Sequence, residues 1–114
     1  MSILSDVKTL LNVSPDDDGF DTELILHING VFSILRQLGI GPDAGFHITG
    51  DTETWTNFMA DTAKIEILKP YIFMKVKLIF DPPQSSTVMQ AYKDAIAEAE
   101  WRLNAVSDYE SGGD

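Results

Sequence analysis

Apolar residues recur at helical spacing in five stretches of the chain, separated by segments rich in Gly, Pro and Asp. Val7, Leu10 and Leu11 predict a short first helix over 6–12, capped by Ser5. SPDDDGFD at 14–21 breaks the pattern and reads as a loop. Leu24, Ile25, Ile28, Val31, Phe32, Leu35 and Leu38 then give one broad apolar face, which predicts a helix over 22–38. Asp21 is its expected cap and Gly39 its expected stop. His27 falls at the flank of that face, while Asn29, Ser33, Arg36 and Gln37 point away from it. GIGPDAGFHITG at 39–50 is too broken for a helix, although its FHIT segment suits a short extended piece. Thr52 is then placed to cap a brief helix carrying Trp55, Phe58 and Met59.

The densest pattern runs from Tyr71 to Asn104. A fourth helix over 62–80, capped by Asp61, is apolar almost all round, so it is expected to have no solvent face. Pro70 inside it predicts a kink or a restart. Asp81-Pro82-Pro83 forces a stiff corner. A fifth helix follows from Ser85 or Ser86 to about Val106, with its main stripe through Val88, Tyr92, Ile96, Ala99, Leu103 and Val106. Trp101 lies off that stripe, flanked by Ala97 and Ala105 at four residues either side, and makes a second apolar strip. Another helix of the same chain or a neighbouring subunit must cover it, and exposed aromatic patches favour the subunit. The expected fold is therefore all-α: about five helices with a long C-terminal one, in a single domain over 1–106. Residues 107–114 are expected to form a flexible acidic, Gly-rich tail.

Composition narrows the function. At 114 residues the chain is one domain with one core. A net charge of −10 argues against nucleic acid or an anionic membrane as a direct ligand. The absence of cysteine excludes disulfides and thiolate metal sites. The acidic loop fails as a calcium loop: aligned on Gly19, the twelfth position is Ile25 where a bidentate Glu is required. No nucleophile, phosphate-loop or metal-ligand motif involves His27, His47 or GIGPDAG, so no catalytic residue, metal or cofactor is expected. Four of the eight basic residues fall in the fourth helix, and Lys75 shares a sector with Leu68, Tyr71 and Ile79. It must pair with a carboxylate of its own subunit or of another.

The stretch KPYIFMKVKLIFDPPQSSTVMQAYKDAIAEAEWRLN resembles the helical head–tail connector, or adaptor, proteins of tailed bacteriophages. DVKTLLNVSPDDDGFDTELILHINGVFSILRQLGIGP is similar to the same group, so the resemblance covers about Asp6 to Asn104 and includes an FDPP corner, Phe80 to Pro83. It implies an all-helical, non-enzymatic subunit of a ring, usually of twelve copies, beneath the portal. Such a ring extends the DNA channel, lets DNA pass without specific binding, and docks the next neck or tail-completion protein. The implied location is the neck of the virion after synthesis in the host cytoplasm, with no membrane partner. A ring needs two unlike contact faces on each subunit. The candidates are Trp101, Ala97 and Ala105, together with Lys75; Phe46 and Tyr109 join them in the Gly-rich loop and the tail, which are placed to order on a partner. The competing reading from another class is a small acidic regulator that mimics DNA toward a basic host protein.

Overall fold

The computed structural model describes residues 2–112, with side chains as far as Asn104. It is all-helical: α1 (Ile3–Leu10), α2 (Asp21–Gln37), α3 (Trp55–Phe58), α4 (Thr62–Phe80) and α5 (Ser86–Gly112). Among the described residues the one extended pairing is an antiparallel bridge between Ser2 and Thr54, and residues 46–49 form no strand.

Several helix starts differ from expectation, each for a local reason. α1 begins at Ile3 because Ser2, not Ser5, is the cap: its Oγ accepts from the Ser5 N–H at 3.0 Å. Its end is an αL turn in which Asn12, at φ 62°, donates to Thr9 while Val13 donates to Lys8. α2 begins at Asp21 itself, with Phe20 in the cap position and no side-chain cap bond. The Asp21 carboxylate is used elsewhere, by Lys8. α3 is capped by Thr54 in a reciprocal box with Asn57, two residues after the expected Thr52. α2 stops as predicted at Gly39, whose φ of 82° lets Ile40 donate to Leu35 and Gly39 to Arg36.

α4 matches its expected bounds. Asp61 Oδ1 accepts from the Ala63 and Lys64 N–H groups at 3.0 and 3.3 Å, and the helix yields at Asp81 to the two prolines. It runs through Pro70 without a restart. Proline cannot donate to the Glu66 carbonyl, but both residues are exposed, so the interruption falls on the solvent side. The expectation that α4 has no solvent face is therefore corrected: Glu66 and Pro70 face water, and Ile79 is 58% exposed. α2 and α5 both pack on α4 and have little direct contact with each other. They cover only part of its circumference.

Helix directions follow from the contacts. Phe20, at the start of α2, meets Phe80, at the end of α4, edge to face with centroids 5.3 Å apart. Phe32, in the second half of α2, meets Phe58, just before α4 begins. α2 and α4 are thus antiparallel. The Tyr71–Glu100 and Phe73–Tyr92 contacts make α4 and α5 antiparallel as well. α2 and α5 consequently run the same way. One core joins all five helices, with Leu24, Ile28, Leu35, Leu68, Tyr71 and Ile72 fully buried. Each such side chain contributes about 1.5–3 kcal/mol through removal from water.

The Gly-rich segment after α2 folds back onto it. Asn29 bonds both backbone groups of Ile48, and Arg36 Nε donates to the Asp43 carbonyl at 3.0 Å. Asn29 therefore does not face away, as its place on the wheel suggested. Gly41, at φ 94°, sits against the Phe58 ring, where a Cβ would lie 2.6 Å from it. α5 is capped by Ser85, whose Oγ accepts from the Val88 N–H at 3.3 Å. Its backbone continues past the expected end near Val106 to Gly112. The side chains of the anticipated tail, and all of 113–114, lie outside the described residues.

Candidate subunit and partner interface

α5 turns Ile96 and Leu103 inward and Ala97 and Trp101 outward. The cause is spacing: Trp101 is out of phase with the inward stripe, so a helix that buries Leu103 must present Trp101 to the opposite side. Trp101 is 72% exposed, the highest value among the large apolar residues described. Among the described residues no other helix of the chain covers it. Gln90, Lys93, Asp94 and Asn104 are exposed polar residues along the same outer side. Gln90 donates to Asp94 at 2.9 Å, whereas Lys93 has no partner among the described residues. Ala105 and Tyr109 lie outside the described side chains.

Lys75 is placed differently. Its Nζ lies 3.6 Å from Glu100 Oε2, across the α4–α5 contact of its own subunit, and 6.0 Å above the Tyr71 ring. The same carboxylate oxygen accepts a 2.8 Å hydrogen bond from the Tyr71 hydroxyl. Burial of the phenol, then the hydrogen bond and charge of Glu100, raise the Tyr71 pKa above its ordinary value. Of the two options open for Lys75, the structure supplies the intrachain partner. Beside this group, Glu66, Pro70, Met74, Ala95, Glu98 and Arg102 line an open groove of about 250 Å³ between α4 and α5. Arg102 is held there by Glu98 at 2.7 Å, the expected pair one turn apart.

Phe46 is half-buried, with its ring edge-on to Phe32 and Phe58 at 5.1 and 5.2 Å. Most of its contact area is thus used inside the subunit.

A further exposed surface was not legible as a stripe. Phe20, Ile79 and Val88 are all exposed at the end of the molecule where α2 begins and the Phe80–Pro83 corner turns. On α2, Leu26 is 69% exposed, with Gly30 and Ser33 following on the same outer face. The wheel of α2 contained this signal, because Leu26 alone among its leucines falls opposite the buried face.

Among the described residues no group of three or more His, Asp or Glu is placed to hold a metal ion, and no helix is long and apolar enough to cross a membrane. Asp16, Asp17 and Asp18 are exposed, with Asp17 capping the turn at Gly19. No curated protein and no solved structure matches the chain. A family model described as phage connector protein matches residues 3–110, nearly the whole length. The chain is all-helical and belongs to the phage connector protein family.

Proposed function

We propose that this chain is the repeating subunit of a ring seated beneath the portal at the head–tail junction, where it extends the DNA channel and docks the next neck or tail component. The observation that carries the reading is Trp101, a large aromatic side chain directed away from its own core. A tryptophan buries roughly 150–250 Å² when covered, and leaving that area in water is costly for a monomer. Two different faces, on α2 and on α5, suit the head-to-tail contacts of a closed ring.

The charge balance fits a conduit. At −10 per subunit the assembled wall repels phosphates, so DNA slides past and is not gripped. The exposed Phe20, Ile79 and Val88 at one end offer a docking face for a neighbouring ring. The role needs no catalytic group.

Multi-angle light scattering of the full chain, alone and mixed with the portal protein of the same phage, tests this reading. A large closed oligomer, or one that forms on the portal, is expected. A monomer that ignores the portal at all concentrations refutes it.

A further inference from the structure

We infer that the outer face of α5 of one copy packs along the outer face of α2 of the next, with Trp101 seated over Gly30. This rests on the ring reading above and names the contact that would close the ring.

The first support is direction. α2 and α5 run the same way within a subunit, because each is antiparallel to α4. Rotation about an axis roughly along these helices preserves that direction. In such a ring, α5 of one copy meets α2 of the next in parallel.

The second support is shape. Leu26, Gly30 and Ser33 are exposed on α2 at spacings of four and three residues; Ala97, Trp101 and Asn104 are exposed on α5 at the same spacings. A Cβ built on Gly30 meets nothing within 4 Å, so packing inside the subunit does not require glycine there. Glycine in a helix interior is destabilising. A neighbouring indole that needs close backbone approach supplies the missing reason.

The third support is charge. In the parallel register that sets Trp101 on Gly30, Lys93 lies about 12 Å back along α5 and Glu23 about 10.5 Å back along α2. Lys93 has no partner among the described residues. Glu23 is exposed, with His27 Nε2 3.6 Å from its carboxylate. One register thus satisfies both the aromatic and the ionic contact. On a chain of net charge −10, an unpaired lysine is a distinctive match for a second copy.

The chain has no cysteine, which makes the test clean. Full-length protein carrying both Ser33→Cys and Asn104→Cys is assembled, oxidised and run on a non-reducing gel, with its mass measured before oxidation. A ladder of covalent multimers is expected from the double variant and not from either single variant, because a head-to-tail contact pairs unlike positions. Gly30→Ala is expected to raise the melting temperature of the subunit yet shift assembly to higher concentration. Lys93→Glu is expected to lose assembly and to recover it when combined with Glu23→Lys. Rings of normal mass that yield no ladder overturn this interface and leave the ring reading intact. A double variant and a wild type that both stay monomeric, with and without the portal, overturn the ring reading itself.

Discussion

Asn29 holds Ile48 by both backbone groups: its Oδ1 accepts from the Ile48 N–H at 2.7 Å, and its Nδ2 donates to the Ile48 carbonyl at 3.0 Å. Ile48 is buried, so these groups have no ready alternative in water. The pair ties α2 to the loop that follows it, beside the Arg36 bond to the Asp43 carbonyl. Asn29→Ala leaves a donor and an acceptor unpaired and is expected to cost about 1–3 kcal/mol. Urea denaturation of the subunit checks this. Hydrogen exchange should show the loss of protection concentrated at residues 40–50.

Lys8 is 3% exposed and donates to Asp21 at 2.7 Å and to the Pro15 carbonyl at 3.2 Å. Asp21→Ala strands that ammonium. The penalty for stranding a fully buried charge is about 3–5 kcal/mol, and the partly exposed Asp21 lowers the expectation toward the bottom of that range. Lys8→Met keeps the stem packing and should cost less than Asp21→Ala. Thermal melts of the two variants, ranked against each other, decide it.

The Tyr71 phenol gives the fold an alkaline limit. Its raised pKa means that above the ordinary phenol pKa, about 10, the unfolded chain loses a proton that the folded chain keeps. Stability should therefore be unaffected by this group below that pH and fall as pH rises through it. The slope is at most about 1.36 kcal/mol per pH unit. Tyr71→Phe should flatten the slope while lowering stability at neutral pH, because Glu100 loses its donor. Denaturation curves at a series of pH values measure both effects.

Trp101→Ala and Phe32→Ala should separate surface from core. Phe32 is 2% exposed and packs edge-on against Phe46 and tilted against Phe58, so its loss should cost the subunit about 3–5 kcal/mol. Trp101→Ala should change subunit stability by less than about 0.5 kcal/mol. A multi-kcal loss in the Trp101 variant would mean that the indole supports the subunit core.

The parts of the fold that were legible in the sequence are those decided within a few residues. Asp61 and the Asp81-Pro82-Pro83 corner fixed both ends of α4, since a carboxylate cap and two prolines act locally. The phase of Trp101 against Ile96 and Leu103 was likewise readable, because it depends only on the period of one helix. Starts were misread where two capping residues stood close together, as with Ser2 and Ser5 or Thr52 and Thr54. Asp21 was misread because a lysine thirteen residues earlier claimed its carboxylate. Asn29 was misread for the same kind of reason: its partner lies nineteen residues away in a loop with no period. The solvent side of α4 escaped the wheel because an apolar helix on three sides of its circumference need not have neighbours on three sides.

The chain contains two tryptophans, and the structure puts them in opposite optical environments. Trp55 is 7% exposed, with its indole N–H donating to Asp6 at 2.7 Å and the Lys69 ammonium 5.5 Å over its ring. Trp101 stands in water. Emission from Trp55 thus follows unfolding, and acrylamide quenching of Trp101 follows coverage by a second protein. With Trp55→Phe and Trp101→Phe to separate the signals, the molecule carries its own fluorescent reporters for folding and for association, and no external dye is needed to time one against the other.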